Sequence, residues 1–349
     1  MLVGGEGAFV PAARQLAHFT GVTMSPSTVR RVTLAAGTAM RQLELAFTAT
    51  VRATGTVPDP PPDVPLQLSV DGSLVHLREE GWREVKVVAL GERQVAGKSL
   101  AALTYAATLG TAGAFGDEAL GELGRRGIPQ ATDVVTVNDG AVWIQDFLDL
   151  HCPQAHRVLD FAHAAGYLAT AATEAFGEAS PEGIAWYQAQ RRILRDGDPD
   201  QVLATLRSLP DGEARDTALG YLSTRRGQIA YRDVVVQGWP IGSGCVESAH
   251  KELVQRRLKG RGMRWSRATV EGVLALRVVL ANDRWDQTWT QVASRQRAER
   301  QARTASRRVT RHTRPPRATP GRDGKPAADH PWRRFRLPGT PRFTERSVP

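Results

Sequence analysis

The sequence predicts an α/β protein: a mixed sheet with flanking helices, an all-helical insertion, a helical N-terminal region and a basic tail. Three observations carry this. Short apolar runs bounded by turn residues, such as Trp82–Leu90 and Asp133–Val137, alternate along the chain with helical stripes such as Val270, Val273, Leu274, Arg277 and Val278. A Pro-rich stretch, VPDPPPDV at 57–64, separates helical sequence from the first strands. Charge is also uneven. The 349 residues hold 46 Lys+Arg against 36 Asp+Glu, a net of +10, yet 16 basic and 4 acidic residues lie from Arg295 onward, so the remaining body is near neutral. A tail of this kind binds polyanions, most often nucleic acid.

The N-terminal region, residues 1–56, reads as a helix over Pro11–Phe19 broken by Gly21, then a helix capped by Ser25 with Pro26 in its first turn and ended by Gly37, then Met40–Thr54. The first pair has a helix-turn-helix layout, with Arg30 and Arg31 on the second helix as candidate DNA contacts. After the linker at 57–64, residues 65–179 begin with Leu66–Val70, an Asp71-Gly72 turn, Leu74–Leu77 and Trp82–Leu90 as a meander. A helix near Asp117–Arg126, the strand Asp133–Val137 ending in Asn138-Asp139-Gly140, the helix Val142–Leu150, the strand Ala155–Leu159 and the helix Phe161–Phe176 follow. Residues 180–236 are polar and helical and read as an insertion. Residues 237–290 hold PIGSGCVES, a helix with Ser243 as its N-cap and Glu247 in its first turn, and a helix over Arg267–Ala281. Residues 291–349 are Arg- and Pro-rich and read as a disordered tail.

Two cysteines, Cys152 and Cys245, exclude a zinc cluster or a disulfide framework and suit a reduced cytoplasmic compartment. No apolar run reaches transmembrane length, so no membrane partner is expected. Asp71 and Asp139 each close a strand, and Glu247 opens a helix followed by Lys251, Arg256, Arg257, Lys259, Arg261 and Arg264. Strand order brings the three carboxylates to one sheet edge. Two divalent cations ~4 Å apart need hard anionic oxygens of this type, and the cations behind Glu247 suit a phosphodiester backbone. Trp143, Trp265 and Trp285 fit core packing better than base stacking.

VDG at 70–72, VNDGAVWI at 137–144, LDFAH at 159–163, GSGCVES…KGRGMRWS at 242–266, LALR…NDRWDQTW at 274–289 and HPWRRF at 330–335 together resemble bacterial insertion-sequence transposases of the DDE, RNase H-like type, and within them the ISKra-type group. The resemblance spans about residues 8–336. It implies an RNase H-like sheet and makes Asp71, Asp139 and Glu247 a metal-binding triad for two Mg²⁺ or Mn²⁺ ions. Asp160 and His163, an Asp-x-x-His element, would support that site. Relatives often carry a longer N-terminal region with cysteine pairs, so a shortened copy is expected. The implied activity is metal-dependent 3′-end cleavage and strand transfer on double-stranded DNA, the element's terminal inverted repeats and the target, by a homo-oligomer associated with the nucleoid. The rival readings are a non-catalytic DNA-binding protein and a nuclease that cuts without joining.

Overall fold

The computed structural model describes residues 2–55, 64–94, 100–260 and 262–313. In chain order these form α1 (Leu2–Glu6), α2 (Phe9–Thr20), α3 (Pro26–Thr54), β1 (Leu66–Leu77), β2 (Gly81–Arg93), β3 (Leu100–Thr108), α4 (Ala112–Arg125), β4 (Val134–Asn138), α5 (Val142–His151), β5 (His156–Leu159) and α6 (Phe161–Phe176). Then come α7 (Pro181–Asp196), α8 (Pro199–Arg207), α9 (Glu213–Thr224), a 3₁₀ turn, α10 (Tyr231–Val236), α11 (Gly244–Ala249), a π-helical turn over His250–Gln255, α12 (Arg256–Leu258), α13 (Arg267–Ala281) and α14 (Trp285–Thr313).

The protein is α/β with one five-stranded mixed sheet in the order β3-β2-β1-β4-β5. β1 and β3 flank β2 antiparallel, while β4 runs parallel to both β1 and β5. Leu66, Leu68 and Val70 pack with Phe115 and Leu123 of α4 and Ile144 and Phe147 of α5. On the opposite face Val75, Leu77, Val85 and Val87 pack against Val246, Leu253, Val254 and Val273. Val135, Val137 and Val158 share a third core with α6 and the insertion, including Leu194, Leu222 and Tyr231. Each fully buried large apolar side chain of this kind stabilises by roughly 1.5–3 kcal/mol.

Several local expectations are corrected. Asp71-Gly72 makes no turn: β1 is one strand of 12 residues, Asp71 pairs with Val87 and Gly72 with Lys86. The chain turns instead at 78–81, where Gly81 takes φ +69°. The third strand of the meander is β3, which was not anticipated. A methyl at Gly72 would lie 2.0 Å from Glu84 Oε1, the end of a partly exposed side chain that can turn aside. Gly37 does not end a helix either. It lies inside the 29-residue α3, and a methyl there would meet the carbonyl of Gly272 at 2.0 Å, so it lets α3 and α13 approach closely. Gly21 does stop α2, in the left-handed conformation at φ +70°, and Ser25 caps α3 by accepting the Thr28 N–H at 3.2 Å.

The helical N-terminal region does not stand apart. Residues 1–293 form one compact unit, in which Met40 and Ala36 of α3 pack on Leu276, and Arg41 pairs with Glu118 at 2.8 Å. Residues 57–63 of the linker lie outside the described residues. Residues 180–236 hold α7–α10 and, among the described residues, no strand. Residues from Ser294 belong to a second unit. There the expected disordered tail is helical as far as Thr313, because Ala, Gln, Glu and Arg dominate and the first proline is Pro315. Residues 314–349, with HPWRRF, lie outside the described residues. No helix among the described residues is long and apolar enough to cross a membrane.

Candidate active site

The parallel ladder between β1 and β4 is short, joining Leu66–Leu68 to Val134–Thr136. Beyond it β1 has no partner strand on that side until Leu77 bridges Trp265, and its backbone next to the ladder is taken up by Asn138. The Val70 N–H donates to Asn138 Oδ1, and the Asp160 N–H donates to the Asn138 carbonyl at 2.7 Å. Asn138 is 2% exposed. One buried asparagine therefore ties together the backbone beside Asp71, the backbone beside Asp139 and Asp160 itself. These carboxylates stand where β4 and β5 end, the edge at which open α/β sheets bind ligands.

The helix carrying Glu247 is pinned to this edge by Ser243 and brings His250 up to Asp71. Asp160 is buried, caps α6 through the His163 N–H at 2.8 Å, and with its other oxygen accepts the Ser243 N–H at 2.8 Å and the Ser243 hydroxyl at 2.9 Å. Ser243 is at the N-cap position of α11, but its hydroxyl makes no cap bond because it donates to Asp160 instead. One turn past Glu247, His250 Nε2 comes within 3.3 Å of Asp71 Oδ2. Between Ser243 and His250, Val246 and Ala249 are buried, and Glu247 is exposed.

His250 was not singled out in the sequence. It is 3% exposed, and its 3.3 Å approach to Asp71 lacks hydrogen-bond geometry, so neither ring nitrogen has a partner among the described residues. It begins the π-helical turn, an irregularity frequent at functional sites. Its place three residues after Glu247, among Val246, Ala249 and Leu253, was the available signal.

The insertion contributes too. Tyr221 of α9 accepts the Gly140 N–H at 2.8 Å, and Arg225 donates to the Gly140 carbonyl. A methyl at Gly140 would lie 2.1 Å from Arg225 Nε and 2.3 Å from the Tyr221 oxygen, so only glycine admits both partners beside Asp139. Burial pushes the Tyr221 hydroxyl up to about 12, keeping it protonated at neutral pH. The exposed His163 ring lies 5.8 Å from Tyr221 and 5.6 Å from Tyr167, while its backbone N–H donates to the capping carboxylate of Asp160.

Among the described residues no three His, Cys, Asp or Glu side chains are grouped closely enough to hold a metal ion. The donor chemistry nevertheless fits a hard divalent cation. No Lys or Arg of the described residues forms an ion pair with Asp71, Asp139, Asp160 or Glu247. Asp71 Oδ1 accepts the Gly72 N–H at 2.7 Å, and Asp139 Oδ1 accepts the Ala141 N–H at 3.0 Å.

The expected DNA contacts divide. Arg30, Arg31, Lys251, Lys259 and Arg264 are exposed. Arg256 is exposed but paired with Glu252. Arg257 cannot meet DNA at the surface, being 1% exposed with its guanidinium 4.7 Å from the Phe9 ring and 4.9 Å from the Trp265 ring. Arg261 lies outside the described residues. Trp265 is buried and donates to the Leu258 carbonyl at 2.9 Å; Trp285 stacks on Trp289, and Trp143 packs edge-on to Phe115.

No protein-family model matches the chain. No curated protein matches it significantly.

Proposed function

We propose that the chain is a DDE-type DNA transposase with an RNase H-like catalytic core. One observation supports this most: the helix bearing Glu247 is pinned by Ser243 to Asp160 at the edge where β4 gives way to Asp139, with the buried His250 of the next turn 3.3 Å from Asp71. The strand order β3-β2-β1-β4-β5 supports the same reading by analogy of fold.

In this reading Asp71, Asp139 and Glu247 hold Mg²⁺ or Mn²⁺. When bound, such ions activate an attacking water or 3′-hydroxyl and stabilise the leaving oxygen. The chain's own residues supply position. Asn138 and Asp160 set the strand ends, Ser243 and His250 set the helix, and Tyr221 and Arg225 hold the turn after Asp139. The exposed cations Arg30, Arg31, Lys251, Lys259 and Arg264 bind the backbone of the element ends, and a homo-oligomer handles two ends together.

The test is incubation of the full chain with Mn²⁺ or Mg²⁺ and duplex DNA carrying the flanking repeats. The reading expects nicks at the 3′ ends and joined products. Nicks without joining would make it a nuclease. Binding without nicks would make it a DNA-binding protein only.

A further inference from the structure

Among the described residues Arg257 is a buried cation without a counter-ion. Its guanidinium lies between Phe9 and Trp265, and among the described residues its Nε has no hydrogen-bond partner and its one hydrogen bond is a 3.5 Å contact to the Gly4 carbonyl. Burial and the charge of Arg277 push it down to about 10, so it remains a cation at neutral pH. A buried charge left unpaired costs several kcal/mol, and native proteins pair it or give it a ligand. Neighbouring arginines are paired: Arg256 and Arg277 with Glu252, and Arg267 with Glu80.

Arg257 lines a cleft of about 670 Å³, the size of a ligand site, together with Phe9, Arg30, Arg78, Arg264 and Trp265. No acidic residue lines it, and none of its four arginines forms an ion pair among the described residues. Arg30, Arg78 and Arg264 are exposed and reach solvent from three elements: α3, the end of β1 and the segment before α13. Arg78 and Arg264 are held together, the Arg78 N–H donating to the Trp265 carbonyl at 2.9 Å and its Nε to the Arg264 carbonyl at 3.4 Å.

We infer that this cleft is a phosphate-binding site that seats a backbone phosphate of duplex DNA, with Arg30, Arg78 and Arg264 as the contacting groups and Arg257 as the buried charge beneath them. The inference rests on the reading of the chain as a DNA-binding transposase but concerns grip, not cutting. Phosphate contacts fix where a protein sits on a duplex without reading its sequence. The cleft joins the N-terminal helices to the sheet hairpin, so a phosphate there would register the DNA against both.

The experiment is a salt titration of duplex binding by the full chain, wild type and the double variant Arg78→Gln/Arg264→Gln, with Arg195→Gln/Arg207→Gln on the insertion as an equal-charge control. The cleft predicts a slope of log affinity against log salt shallower by about 0.9 and affinity lower by roughly tenfold at 0.1 M salt in the first variant, with little change in the control. A second measurement follows thermal unfolding in inorganic phosphate against chloride at equal ionic strength. Phosphate should raise the midpoint of the wild type and raise it less in the double variant and in Arg257→Met. Both changes are required: an unchanged slope, or an equal phosphate shift in wild type and double variant, overturns the inference. Should Arg257→Met not fold, the double variant decides alone. A chain that shows both effects but never cuts DNA keeps the cleft and loses the transposase reading; one that cuts DNA with an unaltered slope does the reverse.

Discussion

Asp160 grips Ser243 with one carboxylate oxygen, which accepts the serine N–H at 2.8 Å and its hydroxyl at 2.9 Å. The same aspartate caps α6 with its other oxygen, so the end of β5, the start of α6 and the start of the Glu247 helix are fixed by one buried side chain. Ser243→Ala removes one hydrogen bond to a charged group and should cost about 1.5–3 kcal/mol by urea denaturation. Asp160→Ala also loses the cap and should cost more. Equal stability of both variants and wild type would show that the grip is not made.

The turn after Asp139 is held by the insertion. Gly140→Ala drives a methyl into Arg225 and Tyr221 and should cost about 1–3 kcal/mol, with cleavage falling more than DNA binding. Tyr221→Phe leaves the Gly140 N–H without its partner and should cost about 1 kcal/mol. Full cleavage by Gly140→Ala would detach the insertion from the site.

Two interior glycines of helices should respond with opposite sign. Gly37→Ala places a methyl against the Gly272 carbonyl and should destabilise, because α3 and α13 have no room to part without opening their shared core. Gly166 of α6 has nothing within 4 Å of an added methyl, so Gly166→Ala should stabilise by about 0.5–1 kcal/mol. Thermal unfolding of the pair reads both, and a shared sign would contradict the helix packing.

Arg257 makes a pH-dependent contribution. Its folded value, about 10, lies below the ordinary guanidinium range, so between the two the unfolded chain holds the extra proton. Its effect on stability therefore improves as pH rises through that window, and the full cost of the buried charge is present below pH ~10. Without phosphate, Arg257→Met at pH 7 should be neutral or more stable, as when buried charges give way to apolar groups. A loss above about 2 kcal/mol in denaturant would show that the arginine is compensated after all.

Much of the architecture could be read locally. α6 was legible over Phe161–Phe176 and α13 over Arg267–Ala281, each from its apolar spacing and flanking residues. Asp71-Gly72 and Gly37 misled because glycine is a local sign of a turn or a helix end, while here Gly72 lies inside a paired strand and Gly37 makes room for the backbone of Gly272, distant in sequence. The placement of Asp139 and Asp160 just past the ends of β4 and β5 was legible from the strand pattern, whereas Asp71 lies inside β1. What tied them together, Asn138, and what met Asp71, His250, depended on contacts across 68 and 179 residues that no window of sequence contains. Arg257 read as one more member of a cationic run, because its burial is decided by Phe9 and Trp265.

The central claim is that Asp71, Asp139 and Glu247 act together in cutting DNA, and the most direct measurement is cleavage of repeat-bearing duplex by Asp71→Asn, Asp139→Asn and Glu247→Gln in Mn²⁺, with duplex binding measured in parallel. Each variant should bind DNA as the wild type does and yield no detectable cleavage. Cleavage at a near-normal rate by any one of them would remove that residue from the site and contradict the triad.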